Sequence, residues 1–172
     1  MQRYIGTKIV RMMPMTRLEY NQVRGWALPP DENGDDEGYL VEYQDGGEPN
    51  TPHFRGYVSW SPKAQADAAY RRSDGMPFGL ALEALRKGCK VARAGWNGKG
   101  MWLVYMEPLY LPPYNTQGTH RKVNDRTAKW IGEDAPLDCQ PYIAMWTAAK
   151  QWQPGWLASQ ADMLADDWMI VE

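Results

Sequence analysis

Residues Gly95, Trp96, Asn97, Gly98, Lys99, Gly100, Met101 and Trp102 place three glycines, one asparagine and two tryptophans in eight consecutive positions. Tryptophan offers a flat apolar face and one N–H donor, which suits stacking on a nucleobase. The Asn97 amide both donates and accepts, so it can read a base edge or a ribose. Backbone amides around Gly98 can meet a phosphate, because glycine lets a ligand approach the main chain closely. Arg93, just upstream, can pair with a phosphate. Asp162, far downstream, can accept from ribose hydroxyls. Arg93, Trp96, Asn97, Gly98, Trp102 and Asp162 together suit a small nucleotide, without specifying which one. Each also has a purely structural reading: core tryptophan, turn asparagine, exposed arginine, helix-end aspartate.

Other chemistries find less support. A hydrolase or transferase needs a nucleophile with a base, paired carboxylates or a metal cluster, and no such set stands out. His120 has the basic neighbours Arg121 and Lys122 and reads as a solvated surface histidine. Asp166-Asp167 reads as a solvated corner rather than a metal pair. The chain has no phosphate-loop motif and no dinucleotide-binding fingerprint. Cys89 and Cys139 form no CxxC pair and share no metal-ligand spacing with His53 or His120. No catalytic residue, metal ligand or cofactor is therefore assigned.

With 172 residues, 44% hydrophobic and 23% charged, the chain is expected to fold as one domain or two small ones. A net charge of -2 argues against a binder of nucleic-acid polymers or of anionic membranes. Nine tryptophans against two phenylalanines suit ligand stacking, subunit interfaces or a core. The N-terminal residues form no signal-peptide pattern, and no stretch approaches the roughly 20 apolar residues that span a bilayer. The expectation is a cytoplasmic protein with free thiols.

The elements that would position these residues fall into two modules. Tyr4 to Val10 reads as an opening strand. Thr16 and Glu19 form a capping box for a helix reaching about Val23. Tyr39–Tyr43 and Gly56–Trp60 read as paired strands around the turn signal Asp45-Gly46-Gly47. Ser61 followed by Pro62 reads as the cap and first turn of a helix ending near Arg72. Ser73-Asp74-Gly75 reads as a linker. Phe78, Leu82 and Leu85 then recur at helical spacing, with Gly88 as the stop. Lys90–Arg93 and Met101–Met106 read as strands joined through Asn97-Gly98, a dipeptide that tolerates positive φ in a tight turn. Glu107 to Gln140 reads as a long excursion with structure near Trp130. Tyr142–Thr147 and Trp168–Val171 read as further strands, with a Ser159-capped helical turn between them. The fold class is α+β: two small modules, residues 1–72 and 76–172, each a short antiparallel sheet with one or two helices.

The second module carries a recognisable series. It runs Phe78-Gly79-Leu80-Ala81-Leu82-Glu83-Ala84-Leu85, Gly88 through Arg93, Gly95 through Leu103 and Pro141-Tyr142-Ile143. It continues with Gly155 through Ala165 and ends at Asp167-Trp168. In order and spacing this stretch resembles the phage anti-defence family, of the second type, that counters the bacterial Thoeris system. The resemblance implies small α+β homotetramers that sequester, without cleaving them, the cyclic ADP-ribose isomers made by TIR-domain enzymes. Some members also hold cyclic dinucleotides. It implies ligand pockets at subunit contacts and a site of action in the cytoplasm of the infected host. By matching position, Phe78, Trp96, Asn97 and the segment Ser159, Gln160, Asp162 and Met163 become pocket candidates, with Trp156 from the same matched stretch. Ala161 stands where threonine is common and Ala144 where an acidic residue is common, differences that bear on ligand preference. Residues 1–72 resemble a small phage domain whose chemistry the resemblance does not supply. Two rival readings are an enzyme degrading the signal and a structural phage protein burying its tryptophans in interfaces.

Overall fold

The computed structural model describes residues 1–171, and the chain divides into two compact units, one spanning Met1–Arg72 and one beginning at Ser73. The first unit contains β1 (Val10–Pro14), α1 (Arg17–Arg24), β2 (Gly38–Tyr43), β3 (Val58–Pro62) and α2 (Lys63–Ala69). The strands form an antiparallel sheet in the order β1-β2-β3. Leu40, Val58 and Tyr20 of α1 build a small core on one face. Strand alternation turns Val41 to the other face, and α2, with Ala66 fully buried, packs on β2 and β3. The buried Glu42 carboxylate is satisfied by the backbone N–H groups of Arg55 (3.0 Å) and Gly56 (3.1 Å).

Two local expectations in this unit need correction. The first strand starts at Val10, not Tyr4, because its partner ends at Tyr43, opposite Val10; beyond it Ile9 keeps one backbone bond, from Gln44 N at 2.9 Å, before the Asp45-Gly46-Gly47 stretch turns away. Ser61 does not cap α2. It lies within β3, opposite Tyr39, and the helix starts from Pro62 with no side-chain cap. The Thr16–Glu19 capping box is formed in both directions.

The second unit opens with α3 (Phe78–Arg86), followed by β4 (Lys90–Arg93), β5 (Trp102–Met106), β6 (Leu109–Leu111), α4 (Asp125–Ile131) and β7 (Leu137–Cys139). It closes with β8 (Tyr142–Trp146), β9 (Trp152–Gln153), α5 (Gln160–Met163) and β10 (Trp168–Val171). Five strands make an antiparallel sheet in the order β10-β4-β5-β8-β9, while β6 and β7 pair separately inside the 107–140 excursion. The α+β class holds for both units. Small side chains let α3 sit close to the sheet: Ala81, Ala84 and Leu85 are buried against Val91, Leu103, Met145 and Trp168. Ser73 is part of this unit rather than of a free linker, since its carbonyl accepts from Ile170 N at 2.8 Å.

The turn between β4 and β5 also differs from expectation. Eight residues, 94–101, separate the strands, and neither Asn97 nor Gly98 takes positive φ. The left-handed residue is Gly100, at φ 71°. Gly98 is required for space instead. A Cβ there would run into Met101 Sδ and come within 3.0 Å of Ala148 Cβ. A side chain there would require the Met101 thioether to move and Ala148 to give way.

Candidate functional site

Four aromatic rings from separate elements meet at one end of the sheet. Trp168 of β10 is fully buried at their centre. Phe78 at the start of α3 lies 5.4 Å from it, Trp96 in the turn 5.5 Å, and Trp156, just before α5, 6.0 Å, measured between ring centroids. Trp156 also meets Trp96 and Phe78 edge-on, at 6.2 and 6.3 Å. Such tilted and T-shaped contacts favour each pair beyond the area it buries. The Trp156 backbone is held to β8 by its N–H bonding to Ile143 O at 2.7 Å.

A polar hub locks this cluster to α5. Ser159 caps that short helix, and Asp162 completes a capping box with it. Asp162 Oδ1 accepts from Arg93 Nη1 at 2.8 Å and from Trp96 Nε1 at 3.0 Å. Its Oδ2 accepts from Ser159 Oγ at 2.6 Å and Ser159 N at 3.1 Å. Its backbone carbonyl accepts from Trp168 Nε1 at 2.9 Å. Arg93 also bonds Ala161 O (3.1 Å) and, through Nε, Asp167 Oδ1 (2.8 Å). Asp167 Oδ2 accepts from Gly95 N at 2.6 Å. Burial pushes the Asp162 carboxyl up, but Ser159, Arg93 and Trp96 together outweigh it and hold the group well below the ordinary carboxylate range. The Arg93 guanidinium likewise lowers Asp167, and the two carboxylates raise Arg93.

The structure thus brings together Phe78, Arg93, Trp96, Trp156, Ser159 and Asp162. Arg93 is engaged by Asp162, Asp167 and the Ala161 carbonyl, and Asp162 by Arg93, Trp96 and Ser159. Their evident role is to hold Trp96 and α5 in place. Asn97 is exposed on the turn, and Gln160 and Met163 are exposed on α5, beside the aromatic cluster. Trp96 packs into the core as well as lining the surface, so it is a mixed probe of binding and folding. Trp102 is elsewhere. Leu103 beside it enters the α3 core, and strand alternation puts Trp102 on the opposite face of the sheet. There it stacks on its cross-strand partner Trp146 (5.8 Å, 13° between planes) and meets Trp152 edge-on at 6.2 Å. Within this chain Trp96 and Trp102 therefore do not form two sides of one stack.

Sequence reasoning missed Trp168 and Asp167 as parts of this arrangement. The one signal for them was their position at the end of the matched series. Among the described residues no group of three or more His, Cys, Asp and Glu side chains could hold a metal ion, and no helix is long and apolar enough to cross a membrane.

Comparison with known proteins agrees with the boundaries of this unit. A family model described as Tad2-like, a Thoeris anti-defense 2-like domain, matches residues 76–171. A protein named Thoeris anti-defense 2, from Bacillus phage SP01, is 35% identical over 96 residues, covering 56% of this chain and 94% of that relative. The matched stretch begins just before α3 and ends with β10, so it takes in every element that builds the aromatic cluster and its polar hub. The chain belongs to the Tad2-like family of Thoeris anti-defense 2 domains.

Proposed function

We propose that this protein is a phage anti-defence sponge. It binds cyclic ADP-ribose-type immune signals, with cyclic dinucleotides as further ligands, and keeps them intact and away from their effector in the cytoplasm of the infected host. The observation that carries this reading is the family match, which takes in every helix and strand of the unit containing the site. The geometry fits it: Phe78, Trp96 and Trp156 form an aromatic wall, the Asn97 amide stands exposed beside it, and Ser159, Gln160, Asp162 and Met163 flank it from α5.

Around the site, Leu157 is 92% exposed, Leu164 82% and Met163 46%. Apolar side chains this exposed beside a binding surface favour closure by another subunit. We therefore propose that the ligand is enclosed in a homo-oligomer, a tetramer by family resemblance. The test incubates the protein with a cyclic ADP-ribose isomer, denatures it and looks for the signal. Recovery of the intact molecule supports a sponge; an altered nucleotide supports an enzyme; no depletion supports a structural role. Light scattering alongside the titration reads the assembly.

Asn97 separates binding from folding better than Trp96 does, since it is exposed. Asn97→Ala should weaken binding by about tenfold, the worth of one good hydrogen bond to a ligand, and leave the thermal midpoint within about 1 °C. Unchanged affinity in calorimetry would return Asn97 to a turn role. We assign residues 76–172 to sequestration and 1–72 to a separate role. A fragment of residues 73–172, which keeps the Ser73–Ile170 bond, should then fold and bind like the full chain. A folded fragment without affinity would move part of the site into residues 1–72.

A further inference from the structure

We infer that Asp167 is the positioning residue that sets the ligand-facing turn, acting without touching the ligand; this rests on the binding role proposed for residues 95–98. Asp167 lies immediately before β10, and both of its carboxylate oxygens are engaged. Oδ1 takes Arg93 Nε and Oδ2 takes the Gly95 amide. Arg93 passes the connection on to Asp162, and Asp162 holds the Trp96 indole. One carboxylate thus pins Gly95 directly and the Trp96 ring through two intervening groups, the Arg93 guanidinium and the Asp162 carboxylate. Among the described residues, Asp167 is the side chain that bonds the Gly95 N–H. The fit is tight enough to select the neighbour, since a Cβ on Gly95 would lie 2.7 Å from Asp167 Oδ2. Gly95 is outside the positive-φ region, so its lack of a side chain answers to this contact and not to its backbone angles.

The main chain supplies an internal control. Ala94 N–H bonds the backbone carbonyl of Asp167 at 3.1 Å, while Gly95 N–H bonds its side chain. In Asp167→Ala, amide hydrogen exchange should accelerate at Gly95 and Trp96 and stay slow at Ala94, Val91 and Leu103. Affinity for a cyclic ADP-ribose isomer should fall by about tenfold, because the freed turn holds its binding geometry only about a tenth of the time and the apparent Kd rises in proportion. Gly95→Ala, which displaces the same carboxylate by volume, should reproduce both effects. Two results would overturn the inference: affinity within twofold of wild type in both variants, or a loss of protection spread equally over Val91 and Leu103. If wild type itself binds none of these nucleotides, the sponge reading fails, while the exchange pattern still decides whether Asp167 pins the turn.

Discussion

Trp168→Ala should remove most of the stability of the second unit. The indole is fully buried, touches Phe78, Trp96 and Trp156, and donates to the Asp162 carbonyl. Emptying such a position costs about 3–5 kcal/mol through lost burial and a residual cavity. Domains of this size have only about 5–15 kcal/mol in total. The vacated space lies among three rings that come from different elements, so no single movement can fill it. The expected result in urea titration is a much lower midpoint for the second unit, with binding lost as well. A change below about 1 kcal/mol would mean that the ring cluster does not organise this end of the sheet.

Asp162→Ala should produce a loss of similar size for a different reason. Arg93 and Asp162 are 16% and 13% exposed at their side chains, so removing the acid leaves a largely desolvated guanidinium facing no charge at that point. Breaking a buried pair in this way costs about 3–5 kcal/mol. Asp167 still holds Arg93 Nε, which places the expectation toward the lower end. The pH dependence gives an independent check. The Asp162 carboxyl is held below its ordinary value in the folded protein, by its donors and against burial. A lowered folded-state value means that the unfolded chain binds protons first as pH falls. The stabilisation is therefore complete above about pH 5, begins to fade near the ordinary carboxylate value of about 4 and is lost as pH drops toward the folded value. Asp167 shifts in the same direction and adds to the trend. Wild type should lose unfolding free energy steeply below about pH 4, and Asp162→Asn should show a shallower slope from a lower plateau. Parallel slopes for the two proteins would remove Asp162 from the acid response.

Local signals in the sequence were read more reliably than contacts across it. The capping box at Thr16 and the cap at Ser159 each lie within four residues, and both form, the second as a full capping box with Asp162. The helical spacing of Phe78, Leu82 and Leu85 likewise marks α3. Ser61 failed as a cap because pairing of β3 with β2 extends through Pro62, a tertiary demand that overrides the local preference. Two residues of β9 are too few to show a period of two. The site itself was half visible. Its residue types stood out, but the Arg93–Asp162 and Arg93–Asp167 pairs join positions 69 and 74 residues apart, and nothing in local spacing announces them. Trp96 and Trp102 looked like one pair because they are close in sequence. The irregular turn between them breaks the strand alternation, and only the sheet register reveals that they serve opposite faces.

The turn at 95–100 divides its positions by what constrains them. At Gly95 a side chain would meet Asp167, and at Gly98 it would meet Met101 and Ala148. The side chains of Asn97 and Lys99 are exposed between these fixed points. Substitutions at 97 and 99 can therefore change the exposed surface of the loop without first disrupting the framework beneath it. Such a loop separates the positions that packing fixes from those it leaves free.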